Sequence, residues 1–184
     1  MHLGRIMAKL YFSYSTMNAG KSTMLLQAAY NYLERGMRTL LFTSSLYAEG
    51  DVGVITSRIG ISSPAEMFGS DDDLYQRVND HLQEAKVDCV FVDEAQFLTA
   101  EQVWQLARVS DRLDVPVMCF GLRTDFQGRL FPGSSELLAI ADELREIRTI
   151  CHCGRKATMV VRQSADGGVL TEGNQVSIEK SVYV

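Results

Sequence analysis

The 184-residue chain is 46% hydrophobic and 22% charged, which excludes an intrinsically disordered chain and is enough for one compact domain with a sizeable core. Its 18 basic and 23 acidic residues give a net charge of −5, which argues against a protein that binds nucleic acid through bulk positive charge. The longest apolar runs, such as 90–92, are too short to cross a membrane, and the first residues lack the apolar core of a signal peptide. We therefore expect a cytoplasmic protein that binds neither nucleic acid nor membrane.

Strand-like and helix-like segments alternate along most of the chain, which predicts an α/β fold with a mainly parallel sheet. The predicted strands are 9–14, 38–43, 87–92 and 115–120. The predicted helices are 21–35, 71–86, 99–112 and 136–145. Thr99, followed three residues later by Gln102, is typical of a capping box. The glycines in 44–63 and 121–135 indicate loops, and we expect the first of them to be mobile.

The sequence changes character near residue 149, where we place a domain boundary. Residues 1–149 form the larger α/β domain, and residues 1–6 would be an extension if Met7 is the natural start. Residues 150–184 contain two closely spaced cysteines and short alternating runs at 159–162 and 175–178. This composition predicts a small β appendage that a metal ion could hold together.

The strongest local signal lies between the first predicted strand and helix, in the segment Ser15-Thr16-Met17-Asn18-Ala19-Gly20-Lys21-Ser22, followed by Thr23. In such a loop, backbone N–H groups face an anion, the lysine reaches the outer phosphates, and the serine hydroxyl serves Mg²⁺. Ser15 stands where the usual phosphate loop has its first glycine. The alternative is an ordinary turn that caps a helix, but the strand–loop–helix context favours the phosphate loop.

An acidic pair, Asp93 and Glu94, directly follows the strand predicted over 87–92. Both residues should emerge at the carboxyl edge of the sheet, where open α/β sheets bind ligands. Asp93 can help hold Mg²⁺ there, and Glu94 is our candidate general base. The pair alone does not say whether a phosphoryl group goes to water, as in an ATPase, or to an alcohol, as in a kinase.

Five segments with recognisable motifs occur in this order: Met17–Thr23, Ser57–Gly60, Val92–Phe97, Gly121–Phe126 and Cys151–Ala157. Together they resemble the type II (cellular and bacterial) thymidine kinase family, from about residue 8 to Val184. The resemblance implies ATP- and Mg²⁺-dependent transfer of the γ-phosphoryl group to the 5′-hydroxyl of thymidine, giving dTMP for nucleotide salvage. It also implies a RecA-like P-loop domain, a zinc-bearing β lasso domain, a homotetramer and feedback inhibition by dTTP.

The resemblance assigns roles to individual residues as well. It implies that Glu94 accepts a proton, that Ser22 and Asp93 hold Mg²⁺, and that ATP is bound by residues 15–23, Asp93 and Gln96. The implied thymidine-binding residues are Met17, Phe97, Leu122, Phe126 and Tyr183. Apolar walls of this kind suit a neutral base, although each aromatic residue could instead be part of the core.

Cys151 and Cys153 are the zinc ligands that the resemblance implies, but a structural Zn²⁺ needs four ligands. Cys89 and Cys119 lie in predicted strands, where small buried thiols are the usual outcome. In the family, two further ligands follow the tyrosine that corresponds to Tyr183. We therefore expect the missing pair beyond the end of this sequence; the alternatives are that zinc is absent or is completed otherwise.

Two other functions remain open from the sequence. A RecA-like ATPase or motor would hydrolyse ATP without a nucleoside and respond to DNA, but the negative charge, small size and predicted apolar pocket stand against it. A zinc-bearing module that senses nucleotides without chemistry would give no product from Mg-ATP and thymidine.

Overall fold

The computed structural model describes residues 7–47, 52–151, 153–164, 168–175 and 182–183. The strands of its main sheet are β1 (Leu10–Ser15), β2 (Thr39–Ser44), β3 (Gly53–Thr56), β4 (Ser62–Phe68), β5 (Cys89–Val92), β6 (Val117–Leu122) and β7 (Glu143–Glu146). The helices are α1 (Lys21–Leu33), α2 (Leu74–Glu84), α3 (Ala100–Leu113) and α4 (Pro132–Ile140). Within these described ranges, no helix is both long and apolar enough to span a membrane.

The order of strands across the main sheet is β3-β4-β2-β5-β6-β1-β7. Only β3 runs antiparallel to its neighbour, β4, and the remaining neighbours in this sheet pair in parallel. This arrangement confirms the predicted α/β class with a mainly parallel sheet. Because β1, β6 and β5 are adjacent and parallel, the loops that follow β1 and β5 emerge at the same carboxyl edge.

Both faces of the sheet are covered, as its central strand shows. In β5, Val90 and Val92 join a core cluster with residues of α2, α3 and α4. The alternate residues Cys89 and Phe91 join a second cluster that contains α1. A strand buried on both faces reads as a continuous apolar run, which is why β5 was recognisable in the sequence.

The capping box predicted at the start of α3 is confirmed. The Thr99 hydroxyl oxygen accepts a hydrogen bond from the Gln102 backbone N–H at 3.1 Å, and the Gln102 side-chain oxygen accepts one from the Thr99 N–H at 3.0 Å. The side-chain nitrogen of Gln102, Nε2, also donates a hydrogen bond to the Gly69 carbonyl at 2.7 Å. The same residue therefore closes the helix end and ties it to the segment before α2.

The expectation of a loop over 44–63 is wrong for residues 53–56 and 62–63, which belong to strands, while the expected mobility stays a prediction. Residues 53–56 and 62–68 form β3 and β4, an antiparallel pair joined by a turn at 57–60, while residues 48–51 lie outside the described residues. Ile55 is fully buried in the α1-side core, whereas Val54 is half exposed. Only four residues of β3 alternate in this way, between glycine-containing segments, so the strand pattern was too short to recognise.

The helix predicted over 136–145 is also wrong in its bounds. The helix α4 begins four residues earlier, at Pro132, and ends at Ile140. Residues 143–146 form the edge strand β7, which pairs with Tyr11–Tyr14 of β1. Proline is favoured in the first helical turn, and a mostly charged edge strand lacks the apolar alternation that marks a strand in sequence.

A second, three-stranded antiparallel sheet follows the main body. Its strands are β8 (Arg162–Gln163), β9 (Val169–Leu170) and β10 (Val182–Tyr183), in the order β10-β8-β9. The predicted β character of this part of the chain is present, but the first predicted run, 159–162, overlaps β8 by only one residue. Most of the second run falls on 176–178, outside the described residues.

Gly133, in the first turn of α4, packs directly on the turn that follows β5. A Cβ atom at this position would lie 2.5 Å from the carbonyl oxygen of Ala95 and 2.7 Å from that of Leu98. Both contacts are with backbone atoms, which cannot rotate away as a side chain can. Glycine is therefore required for α4 to hold the 95–98 turn in place.

We expect Gly133→Ala to lower the free energy of unfolding by about 1–3 kcal/mol, because the added methyl group overpacks this contact. Urea denaturation measures the change. Ser135→Ala, on the exposed side of the same helix, is the control and should stay within about 0.5 kcal/mol of wild type. A Gly133→Ala protein as stable as wild type would contradict the packing described here.

Candidate active site

The loop between β1 and α1 has the backbone of an anion cradle. Asn18 and Gly20 both have left-handed backbone conformations, with φ of 64° and 79°. Gly20 is the residue before α1, and neither a side-chain cap nor an acidic residue occupies the first turn of that helix. The N–H groups at this helix end are consequently available to a negatively charged ligand.

Lys21, the first residue of α1, is almost completely buried and folds back over the loop. Its Nζ donates a hydrogen bond to the Thr16 carbonyl at 2.8 Å. Burial lowers the pKa of the Lys21 ammonium, an effect that the charges of Glu94 and Asp93 oppose. A buried cation thus sits between the loop and the two predicted carboxylates.

Ser15, predicted as part of the phosphate loop, has its hydroxyl engaged elsewhere. The Ser15 side chain is buried and donates a hydrogen bond to the carbonyl oxygen of Ile147, just beyond β7. This contact ties the end of β1 to the neighbouring edge strand. The hydroxyl group at this position therefore does not face a ligand in the loop.

Asp93 lies immediately after β5 and meets the first turn of α1. Its Oδ2 accepts a hydrogen bond from the Ser22 hydroxyl at 2.8 Å, and its backbone N–H donates to the Phe42 carbonyl at 2.9 Å. Burial, followed by the neighbouring charge of Glu94, raises the pKa of Asp93 to about 6. Its other oxygen, Oδ1, is buried and has no hydrogen-bond partner among the described residues.

These atoms fit a magnesium ion. Mg²⁺ prefers oxygen ligands and is usually held by one or two carboxylates together with water and substrate phosphates. The unpartnered Asp93 Oδ1 and the adjacent Ser22 hydroxyl supply oxygen ligands beside the anion cradle. The structure thus brings together the two residues that were predicted to hold Mg²⁺.

Glu94 follows in a left-handed conformation, with φ of 53° and ψ of 37°. A non-glycine residue pays a steric cost for this backbone geometry, so the surrounding contacts must hold it. Gln96, which is 1% exposed, donates from its side-chain nitrogen to Glu94 Oε2, and its side-chain oxygen accepts from the Leu122 N–H at 3.0 Å. A Cβ at Gly121 would come within 2.9 Å of Gln96, so glycine leaves room for this bridge.

A cavity of about 670 Å³ opens beside the acidic pair. Four of the predicted thymidine-binding residues line it together with Asp93 and Glu94: Met17, Phe97, Leu122 and Phe126. The Phe97 ring packs edge-to-face on Phe131, with ring centres 5.9 Å apart. The structure describes only the backbone of Tyr183, which pairs with Arg162 in the second sheet. The proposed contact of its side chain with thymidine stays a prediction.

Several cavity residues were missed in the sequence. Phe131, Val54 and Asp125 line the cavity but were not predicted as site residues. Val54 belongs to the strand β3, which was not recognised, so its position in the fold could not be predicted from the sequence. Asp125 directly precedes Phe126 in a predicted motif, and that adjacency was the one available signal.

The predicted zinc ligands lie on a tight turn. The Cys151 N–H donates to the Arg155 carbonyl at 2.7 Å, and the Gly154 N–H donates to the Cys151 carbonyl at 2.8 Å. A backbone hydrogen bond at Arg155 and the side chain of Cys151 hold the pKa of the exposed Cys153 thiol below its usual value. Among the residues that the structure describes, no three or more His, Cys, Asp or Glu side chains cluster closely enough to bind a metal ion.

The other two thiols are buried as expected. Cys89 and Cys119 have no solvent exposure. Burial raises the pKa of Cys89 to about 12 and raises that of Cys119 as well. Both thiols are therefore protonated at neutral pH and belong to the core, not to a metal site.

One edge of the sheet thus carries an anion cradle, two carboxylates and an aromatic-walled cavity that the acidic pair shares. This arrangement defines a nucleotide-dependent phosphoryl-transfer enzyme of the α/β class.

Comparison with known proteins narrows this class. The family model described as thymidine kinase matches residues 8–182. A thymidine kinase of Mesorhizobium japonicum is 68% identical over 178 residues, covering 97% of this chain and 88% of the relative. Thymidine kinases of Agrobacterium fabrum and Haemophilus influenzae are 65% and 58% identical, each over 94% of this chain and 89% of the relative. The chain belongs to the thymidine kinase family, which confirms the predicted family and enzyme class.

We expect Asp93→Asn to stabilise the metal-free protein at pH 7.5 by on the order of 2 kcal/mol. The folded-state pKa of Asp93, about 6, lies above the value near 3.9 of an unfolded chain, so the folded carboxyl loses stability as pH rises between these values. The gain should therefore shrink as pH falls and vanish below about pH 4. Urea denaturation in EDTA at several pH values measures it.

Asp88→Asn is the matched control with the opposite sign. Hydrogen bonds from Lys86 and from the Arg38 backbone hold the pKa of Asp88 below its usual value, so its ionised form stabilises the fold at neutral pH. This substitution should lower stability at pH 7.5. An Asp93→Asn protein less stable than wild type at that pH would show that the Asp93 carboxylate is not an uncompensated buried charge.

Proposed function

We propose that the protein transfers the γ-phosphoryl group of ATP to the 5′-hydroxyl of thymidine, giving dTMP and ADP in nucleotide salvage. One observation carries the proposal: Asp93 and Glu94 line the same cavity as Phe97, directly beside the anion cradle. A phosphate chain and an uncharged nucleoside can therefore meet at the acidic pair. The relatives named thymidine kinase support this choice over an ATPase that works without a nucleoside.

The loop 15–23 would bind the phosphates of ATP, as in a RecA-like P-loop domain. Backbone N–H groups at the start of α1 face the polyanion, and Lys21 can exchange its contact with the Thr16 carbonyl for a phosphate oxygen. Because Lys21 is buried, its charge is poorly screened and acts strongly on a nearby phosphate. These residues position the transferred group and neutralise its charge.

Asp93 and Ser22 would hold Mg²⁺ on the same side of the cavity. The ion would supply positive charge to offset the negative charge that develops during transfer. The residues of this chain contribute a prepared ligand set, because the Asp93 Oδ1 already lies buried and without a donor within the described part of the chain.

Glu94 would act as the general base. It accepts the proton of the thymidine 5′-hydroxyl as that oxygen bonds to the γ-phosphorus and the bond from phosphorus to the ADP oxygen breaks. Gln96, predicted to contact ATP, has its two side-chain polar atoms engaged with Glu94 and with Leu122. We assign it as a positioning residue that fixes the direction of the Glu94 carboxylate.

The cavity would receive the thymidine base and sugar. Its volume of about 670 Å³ falls within the range of small-molecule sites, and Phe97 and Phe126 offer flat apolar walls to a pyrimidine ring. Met17 of the phosphate loop and Leu122 at the end of β6 also line the cavity. In this proposal Tyr183 completes the site from the second sheet.

Residues 150–184 would form the lasso domain, separate from the domain of residues 1–149. In the turn at Cys151 and Cys153, the Cys151 N–H donates one backbone hydrogen bond and the Cys151 carbonyl accepts another. Such a turn suits a structural zinc ion. Two thiolates are too few for such an ion, so this proposal requires two further ligands from outside the described residues. The zinc content of the purified protein tests it.

The family resemblance also supports a homotetramer and inhibition by dTTP. Tyr30, Leu33 and Met37 are exposed apolar side chains on and just after α1, and a subunit contact would cover them. The cavity reaches from Phe97 to Ser22, so one molecule of dTTP can place its base among the aromatic residues and its phosphates near the loop. Such a molecule would exclude both substrates at once.

An ADP-release assay with thymidine, deoxycytidine, deoxyguanosine or no nucleoside tests the proposed function. We expect ADP release in the presence of Mg-ATP and thymidine, with dTMP formed in equal amount. ADP release that is the same without any nucleoside would identify an ATPase instead. No turnover in any arm would identify a nucleotide-binding module without chemistry.

Glu94→Gln should lower kcat by about 10²–10⁴-fold, because it removes the proton acceptor while keeping the shape of the side chain. ATP binding, measured by calorimetry, should change little. The Glu101→Gln variant, on the exposed face of α3, is a control with the same chemical change. Full activity of Glu94→Gln would remove Glu94 from its assigned role.

Gln96→Leu should lower kcat by about 10- to 100-fold with a smaller change in thymidine Kd, because the base loses its orientation. Gln105→Leu is a matched control, since Gln105 is also buried and accepts a backbone hydrogen bond, from Leu74 at 2.8 Å, but lies away from the cavity. Both variants should lose stability, and only Gln96→Leu should lose turnover. Equal kcat values for the two would show that Gln96 is merely structural.

A further inference from the structure

The segment beyond β6 folds into a tight turn that carries Asp125 into the cavity wall. Thr124 and Leu130 form an antiparallel bridge, and the Asp125 N–H donates to the Arg129 carbonyl at 2.9 Å. Gly128 closes the turn in a left-handed conformation, with φ of 77°. The position of Asp125 is thus fixed by backbone contacts, independently of any ligand.

The two oxygens of the Asp125 carboxylate have different surroundings. Oδ1 accepts hydrogen bonds from the backbone N–H groups of Gln127 at 2.8 Å and Arg129 at 2.9 Å. Oδ2 is buried and, in the described part of the chain, has no hydrogen-bond partner. The residue as a whole is 3% exposed, and it lines the cavity.

The nearest arginine in the sequence is engaged elsewhere. The Arg123 guanidinium lies 5.8 Å from the centre of the Tyr14 ring and donates to the Thr158 carbonyl at 3.2 Å. The turn therefore satisfies one half of the Asp125 carboxylate and leaves the other half for a group that is not part of this turn.

A buried carboxylate oxygen without a donor is costly, and such groups in native proteins usually have a specific reason. Among the described residues that line this cavity, Asp93 also has such an oxygen, which we assigned to Mg²⁺. Asp125 lines the same cavity on the wall that carries Phe126, where the proposed function places the nucleoside. A nucleoside is neutral but has O–H and N–H groups that a carboxylate can accept.

We propose that Asp125 determines nucleoside specificity: its Oδ2 accepts a hydrogen bond from a donor of the nucleoside other than the reacting 5′-hydroxyl. In thymidine the available donors are the sugar 3′-hydroxyl and the imide N–H of the base. The inference rests on the proposed function, because it takes a nucleoside as the occupant of the cavity. A carboxylate in this position favours ligands that present a donor and rejects those that present a lone pair.

The substitution Asp125→Asn tests the contact with little change in shape. Asparagine can keep its carbonyl oxygen on the Gln127 and Arg129 N–H groups, while an NH₂ group, a donor, replaces Oδ2. We expect the Kd and KM for thymidine to rise on the order of 10- to 100-fold, since a hydrogen bond to a charged group is lost. The Kd for ATP should stay within a factor of two. Unchanged thymidine binding would overturn the proposal.

Two analogues identify the donor. With 3′-deoxythymidine, wild type and Asp125→Asn should bind equally if the donor is the 3′-hydroxyl. With N3-methylthymidine, they should bind equally if the donor is the imide N–H. A penalty of the same size with both analogues would overturn a direct contact, because neither donor would then be involved.

A second variant distinguishes loss of the proposed contact from a folding defect of Asp125→Asn. Asp125→Ser keeps a hydroxyl oxygen that can accept from the turn and lacks any atom in place of Oδ2, so it should show a comparable loss of thymidine affinity. Asp142→Asn is the control for the chemical change, because the Asp142 Oδ2 accepts a hydrogen bond from the Leu10 N–H at 2.7 Å at the opposite end of β1. It should leave thymidine binding unchanged.

The outcomes also separate this inference from the function on which it rests. A wild-type enzyme that forms dTMP, together with an Asp125→Asn variant of equal thymidine affinity, would overturn the role of Asp125 alone. A wild-type protein that neither binds thymidine nor forms dTMP would overturn both.

Discussion

The hydrogen bond between Ser22 and Asp93 joins two segments that are 71 residues apart in the chain. Its geometry follows from the sheet, because β6 pairs in parallel with β1 on one side and with β5 on the other. Cys119 of β6 is level with Phe12 and with Val92, so β1 continues three residues beyond the level at which β5 ends. The loop of residues 16–20 then leads back to the first turn of α1, where the Ser22 hydroxyl meets the carboxylate that follows β5.

Three charged groups, Lys21, Asp93 and Glu94, are gathered at this point, and two of them are buried. Lys21 and Asp93 are almost completely buried, and Glu94 holds a strained backbone conformation beside them. Burial opposes the charged form of both Lys21 and Asp93, as the directions of their pKa shifts show. The charged groups are thus in position before ligands of opposite charge bind. Their burial destabilises the fold, and close packing around the site, including the contacts at Gly121 and Gly133, offsets that effect.

The parts of the structure that the sequence predicted well are those in which one segment contains the whole signal. The strand–loop–helix unit around Lys21, the apolar run before Asp93 and the capping box at Thr99 all depend on neighbouring residues. The errors concern elements that exist because of distant partners. The strand β7 is stabilised by its pairing with β1 and by the contact of Glu143 with Lys9, neither of which is visible in its own four residues.

The predicted and the missed residues of the candidate site differ in the same respect. Residues with a chemical motif, such as Glu94, were predicted, and four of the five predicted thymidine-binding side chains line one cavity. Phe131 and Asp125 were missed for a different reason. The Phe131 ring packs against Phe97, and one oxygen of Asp125 has no donor in the described part of the chain, so both residues are recognised only from three-dimensional information.

Asp93 and Asp125 each have a buried oxygen without a donor among the described residues, and this affects the stability of the ligand-free protein in the cell. A polypeptide that gains stability only when its ligands are bound opens more often when they are scarce. Quality-control proteases act on such openings, so a modest difference in folding free energy can change steady-state abundance several-fold. Supply of nucleoside and of Mg²⁺ would then regulate how long each copy of the enzyme survives, through the two carboxylates that we propose to bind them.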